Sequence, residues 1–257
     1  MDRVFVDMEY IGKQDRQGGM DTVQSRHTLD DVKKIRSSLR QSELLVRCNP
    51  IHDPTAESPG SHAEIDGIIK AGADIVMLPY FKTVAEVRTF LKIVKGRCTA
   101  MLLLETPEAV AAVDEILDLP GVDEVLIGLN DLSLGYGKKF MFELLANGTV
   151  EMLCRKCAKR AIPYGFGGIA SLGKGMLHSE YVIKEHYRLG SQCAILSRSF
   201  CDMNRMHDLG EVRERFTHGV AAIRAYEKHC QERPDTYEQN HQEVVRIVRK
   251  IVEKVEI

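Results

Sequence analysis

The sequence carries almost no net charge. Its 257 residues include 35 Lys and Arg against 37 Asp and Glu, so the formal net charge is only -2. A protein that binds nucleic acid or another polyanion usually has a basic stripe or a block of like charges. Neither is present in this sequence. We therefore expect no nucleic-acid partner, and the charge balance leaves small neutral or anionic ligands open.

Long apolar runs are missing as well. No stretch reaches the roughly 18 apolar residues of a membrane span, and the N-terminus lacks the apolar segment of a secretory signal. The seven cysteines are an odd number and are dispersed, several of them in apolar runs where a thiol packs as a small hydrophobe. Cys154 and Cys157 form a CxxC motif, but a structural zinc site needs about four ligands. These absences predict a cytoplasmic protein with no membrane contact.

What is present is a repeating pattern of short apolar strands. The runs are continuously apolar rather than alternating, as in strands that are covered on both faces. Amphipathic helical patterns with Thr or Ser near the start and Gly at the end separate them. The predicted strands are residues 4–10, 44–50, 74–80, 99–106, 124–130, 164–169 and 193–200, and the clearest helices are 28–40, 62–72, 83–96 and 106–121.

The order of these elements predicts an α/β fold. Strands that alternate with helices at a spacing of about 25 to 40 residues are typical of a parallel sheet. We predict a TIM-type (β/α)8 barrel over residues 1–230 that lacks or replaces its first βα unit, because only seven strands are found. A further helical pattern over residues 234–257 is expected to cover the open end of the barrel or to pack on a neighbouring subunit.

Charged residues collect where the predicted strands end. In barrels of this type the loops that follow the strands build the active site. Asp7 and Glu9 lie toward the end of the first predicted strand, Arg47 toward the end of the second and Glu105 toward the end of the fourth, and Asp131 directly follows the fifth. A carboxylate at the end of an apolar strand is costly unless its charge is compensated. A divalent metal ion is one way to compensate it.

Glu105 and Asp131 are the predicted metal ligands. Two hard carboxylate oxygens, with water and substrate completing the shell, are a usual arrangement for Mg²⁺ or Mn²⁺. The alternative is that both residues only begin local structure. Thr106 and Pro107 are suited to the cap and first position of a helix, and Asp131 is suited to capping its own loop.

Five segments of the sequence resemble a known family. DMEYIG, VRCNP, GADIVMLPYFKTVAEV, LLLETPEAV and GVDEVLIGLNDLSLGYG, in this order, are similar to the HpcH/HpaI aldolase and citrate lyase β-subunit family of the phosphoenolpyruvate/pyruvate barrel superfamily. The resemblance implies a divalent metal at Glu105 and Asp131, and an Arg47 that contacts the oxygen of a pyruvate-like enolate. It implies cleavage or formation of a carbon-carbon bond next to a 2-oxoacid or an acyl-thioester. It also implies an oligomer, commonly a hexamer with exchanged C-terminal helices.

The residue types agree with a metal-dependent lyase. Retro-aldol cleavage leaves an enolate, whose charge a Lewis-acidic cation stabilises. Arg47 would add a fixed positive donor, although an ion pair of Arg47 with Asp7 or Glu9 is the structural alternative. The remaining strand ends supply the predicted substrate-binding residues Pro79, Asn130 and Gly168.

Acid–base chemistry is the point at which this chain departs from the resembled aldolases. There a histidine directly follows the D-x-E segment, whereas this sequence has Tyr10. The candidates for the missing proton carrier are a metal-bound water and the residues Glu9, Tyr10 and His52. Lys13 and Arg16, in the same segment, are expected either to contact a substrate anion or to be solvated.

Three features support other functions. The glycine-rich run GFGGIASLGKG, residues 165–175, suits a phosphate-binding loop of a phosphoenolpyruvate-mutase-like or phosphosugar-acting enzyme, and equally a lid or a tight turn. Lys82 offers a Schiff-base route that a metal pair makes unnecessary. The absent histidine and strand also fit a barrel that binds a ligand without turnover. His27 and His186 are expected to be ordinary surface and helix residues.

Overall fold

The computed structural model describes residues 1–13, 27–56, 58–201 and 208–255. The chain divides into two compact units, one of Met1–Leu126 with Arg160–Ile162 and the other of Ile127–Lys159 with Pro163–Ile257. No helix in the described ranges has the length and apolarity that crossing a membrane requires. The domain boundaries expected from the sequence, 1–230 and 234–257, stay a prediction.

The first unit alternates strands and helices as the sequence predicts. Its strands are β1 (Arg3–Asp7), β2 (Glu43–Arg47), β3 (Ile75–Leu78), β4 (Thr99–Leu104) and β5 (Glu124–Ile127), and they lie side by side in chain order. The helices are α1 (Leu29–Ser38), α2 (Gly60–Lys70), α3 (Val84–Val94), α4 (Pro107–Ala111) and α5 (Val113–Leu117). Each strand ends two or three residues before its predicted end, so the polar residues that follow lie in loops.

The register of β1 and β2 places a carboxylate beside a guanidinium. The two strands are parallel, and Asp7 lies directly opposite Arg47. The middle of β2 is buried because Leu44, Leu45 and Val46 are apolar on both faces of the strand. Parallel strands end at the same edge, so the loops after β1, β2, β3 and β4 in this unit begin close together.

Three helices begin at the threonine caps that the sequence predicts, and the helix predicted over 106–121 is divided in two. The side chains of Thr28, Thr83 and Thr106 each accept the backbone N–H three residues on, and the first two complete capping boxes. The prediction of a single helix over 106–121 was wrong. Ala112, with φ -96° and ψ 12°, leaves helical geometry and separates α4 from α5.

The second unit contains fewer strands and longer helices. Its elements are α6 (Leu129–Gly135), α7 (Glu143–Ala146), α8 (Thr149–Lys159), β6 (Tyr164–Ile169), α9 (Ser179–Leu189), β7 (Cys193–Leu196), α10 (Leu209–Glu232) and α11 (Tyr237–Val255). β6 and β7 are parallel, and they approach so closely that a Cβ on Gly165 would lie 2.0 Å from the carbonyl oxygen of Cys193. The predicted strand over 124–130 was too long, because the chain turns into α6 after Ile127.

The predicted C-terminal helix is confirmed as α11, and it packs on α9 of its own chain. Val244 and Val248 on this helix are buried. Asn240 Nδ2 donates to Glu185 Oε1 at 3.0 Å, and His241 Nδ1 lies 3.0 Å from Glu185 Oε2. Part of the apolar face of α11 is therefore covered within the chain. Packing of this helix on a neighbouring subunit stays a prediction.

The CxxC motif lies on a helix with both thiols inside the protein. Cys154 and Cys157 are on α8 and are buried. Burial raises the pKa of Cys154 to about 12. Since the thiolate is the form that binds metals and attacks disulfides, these cysteines behave as core residues.

His186 lies on α9, as expected of a helix residue, and its side chain is buried in the second unit. Its ring stacks on Phe166 with the ring centroids 3.7 Å apart. Nδ1 lies 2.7 Å from Ser191 Oγ, which donates to Cys193 O, so this network assigns the ring proton to Nδ1. Nε2 is buried and has no hydrogen-bond partner among the described residues. Burial lowers the pKa of His186 to about 3.

We expect His186 to make the fold acid-sensitive. Its folded-state pKa of about 3 lies below the ordinary value of 6.5, so stability is fully present above pH 6.5 and is lost as the pH falls toward 3. The free energy of unfolding should fall by about 1.4 kcal/mol per pH unit in this window from this group. Denaturant unfolding at a series of pH values measures the slope.

Two variants isolate the contribution of this histidine. His186→Phe keeps an aromatic ring on Phe166 and should remove this part of the slope. His178→Gln, at an exposed position before α9, should retain it. An identical slope in wild type and His186→Phe would contradict the assignment.

Candidate active site

Arg47 is the centre of a charged cluster in the first unit. Its Nε and Nη2 donate to Asp7 Oδ1 and Oδ2 at 2.9 and 2.8 Å. Its Nη1 lies 3.3 Å from Glu9 Oε2, and its guanidinium carbon lies 5.5 Å from the ring centroid of Phe5. The bidentate contact fixes the plane of the guanidinium. The sequence offered ion pairs with Asp7 or Glu9 as the structural alternative to an enolate-binding role for Arg47, and both ion pairs are present.

Glu105 is a buried carboxylate that acts electrostatically on Arg47. It follows β4 directly and is only 4% exposed. Its Oε1 accepts the backbone N–H of Tyr80 at 3.0 Å. Burial lowers the pKa of Arg47, but the hydrogen bonds and charges of Asp7, Glu9 and Glu105 outweigh that effect and raise it above its ordinary value. Thr106 caps α4, so the carboxylate of Glu105 is not needed as that cap.

Lys13 is a second buried cation in the cluster. Its Nζ donates to Asp7 Oδ2 at 2.7 Å and lies 3.7 Å from Glu9 Oε2, and its side chain is only 6% exposed. Burial raises the pKa of Asp7, but the hydrogen bonds and charges of Arg47 and Lys13 bring it down to about 2. Asp7 is therefore ionised at neutral pH. Arg16, the predicted companion of Lys13, lies outside the described residues.

Asn49 supports the loop between Asp7 and Lys13. Its Oδ1 accepts the backbone N–H groups of Tyr10 and Ile11, both at 2.9 Å. Its Nδ2 and its backbone N–H donate to Glu64 Oε1 at 2.8 and 3.1 Å. Sequence reasoning missed Glu64, although an acid within the apolar stripe of a helix was a visible signal.

His52 is engaged within its own loop. Its Nδ1 lies 2.8 Å from Pro50 O and 3.1 Å from Ser61 Oγ, and its Nε2 lies 2.8 Å from Ser58 Oγ. Both ring nitrogens are thus occupied by neighbouring groups. A catalytic role for His52 stays a prediction that would require this network to open.

Lys82 has the wrong surroundings for a Schiff-base lysine. Its side chain is 44% exposed, and its Nζ lies 3.1 Å from Glu108 Oε1. The hydrogen bond and charge of Glu108 raise the pKa of Lys82. A nucleophilic lysine needs a lowered pKa, so the structure does not favour this route.

The remaining candidates are distributed between the units. Pro79 follows β3 in the first unit and is buried. Asp131, in the second unit, is 9% exposed and lies in the first turn of α6 rather than in a loop, where Asn130 Nδ2 lies 3.2 Å from its Oδ1. The helix has Gly128 at its cap position. Gly168 is part of β6, where an added Cβ would lie 3.3 Å from Ser197 Cβ.

The glycine-rich run is partly a strand. Residues 165–169 belong to β6, so only the second half of the run is a loop. In that half the backbone N–H of Gly173 donates to Glu180 Oε1 at 2.8 Å. An amide that already binds a carboxylate of its own chain gives no support to a phosphate-binding role.

The predicted metal ligands are chemically suited to a hard cation. Glu105 and Asp131 are both carboxylates, and both are buried. Within the described ranges, no group of three or more His, Cys, Asp or Glu side chains is arranged to hold a metal ion. An ion with two protein carboxylates takes its other ligands from water and substrate, as Mg²⁺ and Mn²⁺ commonly do.

The sequence profile of the HpcH/HpaI aldolase/citrate lyase family matches residues 2–143, which is more than half of the chain. No curated protein matches the chain significantly in sequence. The matched segment contains the cluster around Arg47 and both predicted metal ligands.

Solved structures share the fold. An HpcH/HpaI aldolase from Desulfitobacterium hafniense DCB-2 is 18% identical, with 86% of this chain and 92% of that chain covered and a TM-score of 0.56. An HpcH/HpaI aldolase/citrate lyase family protein from Burkholderia cenocepacia J2315 is 16% identical, with 82% and 86% covered and a TM-score of 0.58. Macrophomate synthase is 17% identical, with 89% and 78% covered and a TM-score of 0.52.

These likenesses establish a parallel α/β fold of the kind found in a TIM-like barrel. Because the sequence identities are only 16–18%, these structures do not indicate which substrate this chain binds. The predicted loss or replacement of the first βα unit stays a prediction.

Proposed function

Because the chain belongs to the HpcH/HpaI aldolase/citrate lyase family, we propose that it is a metal-dependent carbon-carbon lyase. The bond that it forms or cleaves lies next to the enolate of a 2-oxoacid or a related small carboxylate. The observation that carries the proposal is the guanidinium of Arg47, held in the plane of the Asp7 carboxylate with Glu9 and Glu105 close by.

Arg47 is suited to bind an enolate oxygen. A guanidinium has about five N–H donors, and its contacts with Asp7 and Glu9 use three of its N–H groups. Among the described residues no acceptor occupies the other N–H groups, and we propose that they bind a substrate oxygen. A donor that is fixed before the reaction stabilises developing charge without reorganisation. Asp7 stays ionised, with a pKa of about 2, and keeps Arg47 in place.

We assign proton transfer to Glu9. A base must lie within hydrogen-bond reach of the substrate that Arg47 binds, and Glu9 Oε2 lies 3.3 Å from Nη1 of Arg47. In the cleavage direction Glu9 takes the proton of the substrate hydroxyl and the carbon-carbon bond breaks. The bonding electrons move to the enolate oxygen, an aldehyde leaves, and the proton returns to the enolate carbon. The low pKa of Asp7 makes it a poor proton donor.

A divalent cation, when bound, would supply Lewis-acid stabilisation of the same negative charge. We propose Mg²⁺ or Mn²⁺ as the ion, with the carboxylates of Glu105 and Asp131 as its protein ligands, and Pro79, Asn130 and Gly168 as further substrate contacts. The buried carboxylates support this choice because hard oxygen donors match hard cations. A homo-oligomeric state and a cytoplasmic location remain proposals of the same kind.

Pyruvate release from a panel of 4-hydroxy-2-oxoacids tests the proposal. We expect release in the presence of Mn²⁺ or Mg²⁺, loss of release with EDTA, and recovery when metal is added back. Glu105→Gln should weaken Mn²⁺ binding by about tenfold or more, because a neutral amide replaces a charged ligand. Calorimetric titration with Mn²⁺ measures the affinity directly.

Glu108→Gln is the matched control for this substitution. Glu108 lies three residues further on, is 52% exposed and pairs with Lys82. Its replacement should leave Mn²⁺ affinity unchanged. Equal Mn²⁺ affinity in wild type and Glu105→Gln, or pyruvate release that persists in EDTA, would overturn the metal assignment.

A further inference from the structure

We propose that Glu64 is a positioning residue, which acts through Asn49 to hold the loop carrying Glu9 and Lys13 against Arg47. The effect of Glu64 on catalysis rests on the lyase function proposed above. The effect of Glu64 on the position of the loop does not depend on that function. Glu64 itself lies on α2 and makes no contact with the charged cluster through the hydrogen bonds described for it.

Asn49 is fixed from both sides. Its single side-chain oxygen accepts two backbone N–H groups, those of Tyr10 and Ile11, which uses both lone pairs of a carbonyl oxygen. Its amide nitrogen must therefore face the opposite way, where Glu64 Oε1 accepts from it at 2.8 Å. The same oxygen also accepts the backbone N–H of Asn49 at 3.1 Å. Glu64 thus determines which way the Asn49 amide is turned.

The anchored N–H groups lie in the middle of the loop that carries the charges. Tyr10 and Ile11 stand between Glu9 and Lys13 in the chain. The ends of this loop are held by other bonds, from the Met8 N–H to Arg47 O at 3.0 Å and from the Lys13 N–H to Tyr10 O at 3.3 Å. Asn49 supplies the central anchor. A displacement of about 1 Å in a reacting group is enough to cost a large part of its catalytic effect.

The surroundings of Glu64 indicate that it does more than support the core. It is only 6% exposed, and its Oε2 is buried without a hydrogen-bond partner in the described part of the chain. Burial raises the pKa of Glu64 despite the hydrogen bonds from Asn49. A buried, half-satisfied carboxyl group destabilises a fold compared with an apolar residue. Glu64 Oε1 accepts two hydrogen bonds from Asn49, and an apolar residue at this position could not accept them.

Amide hydrogen exchange at Tyr10 and Ile11 tests the loop directly. In Glu64→Leu the Asn49 amide is released, and we expect both N–H groups to exchange about tenfold faster or more. In Glu64→Gln the side-chain oxygen still accepts from Asn49, so exchange should stay close to that of wild type. The kcat for pyruvate release should fall about 10- to 100-fold in Glu64→Leu with little change in KM, and glutamine should rescue it.

Glu124→Leu is the matched control. Glu124 is equally buried, at 6% exposure, but it lies at the start of β5 and pairs with Arg3. Its replacement should lower stability without faster exchange at Tyr10 and Ile11. If Glu64→Leu fails to fold, Asn49→Ser removes the oxygen that accepts from Tyr10 and Ile11, and both N–H groups should again exchange about tenfold faster or more.

Exchange rates at Tyr10 and Ile11 that match wild type in Glu64→Leu, or in Asn49→Ser, would overturn the positioning role. Absence of pyruvate release from the wild-type protein would instead count against the lyase function. The exchange experiment would still decide the role of Glu64 in that case.

Discussion

Arg47→Lys is expected to lower kcat/KM for pyruvate release by about 100- to 1,000-fold. Lysine keeps the positive charge but replaces a planar donor fork by a point charge. It cannot bind both oxygens of Asp7, contact Glu9 and still present a donor to the enolate oxygen, as the guanidinium does. The loss should appear mainly in kcat, because the donor acts on charge that develops in the transition state.

Arg3→Lys separates this effect from a general loss of ion pairs. Arg3 begins β1, and it donates to Glu43 at 2.8 Å and to Glu124 at 2.7 Å. It is thus another paired arginine in the first unit, and it lies at the opposite end of the strand that carries Asp7. We expect kcat/KM of Arg3→Lys to equal that of wild type. An equal loss in both variants, or no loss in Arg47→Lys, would contradict the assigned role.

Glu185→Leu is expected to destabilise the protein by about 3 to 5 kcal/mol. Glu185 on α9 is fully buried and accepts hydrogen bonds from Arg188 Nε at 2.9 Å and from Asn240 Nδ2 at 3.0 Å. Arg188 is only 13% exposed and would keep Glu151 as its remaining carboxylate partner. The penalty arises because a buried guanidinium loses a charge partner and Asn240 loses an acceptor.

Denaturant unfolding at neutral pH measures this change. Since Asn240 and His241 belong to α11, limited proteolysis should also cut Glu185→Leu faster near the start of that helix. Glu243→Gln is the control on the same helix, because Glu243 pairs with Arg246 at an exposed position, where ion pairs contribute little. A midpoint for Glu185→Leu equal to that of the control would show that the buried network does not stabilise the fold.

The sequence predicted the α/β alternation because its signals are local. Continuous apolar runs mark strands buried on both faces, and the cap residues Thr28, Thr83 and Thr106 mark helix starts. All seven strands and the C-terminal helix are present within the described ranges. The sequence also identified Asp7, Glu9, Arg47 and Glu105 as strand-end residues, because charges at the ends of apolar runs stand out. It overestimated strand lengths and placed Asp131 in a loop, since the short helix α6 has no side-chain cap that would signal its start.

The tertiary structure alone decided which of these residues meet. Asp7 and Arg47 are 40 positions apart, and Asn49 and Glu64 are 15 apart, so their pairing depends on strand register and helix packing rather than on local pattern. The same holds for His186, which the sequence placed on a helix without showing that its ring stacks on Phe166. Periodicity specifies the face on which a side chain lies. The neighbours that it meets there, and hence its charge state and its hydrogen bonds, are set by contacts between segments that are remote in the chain.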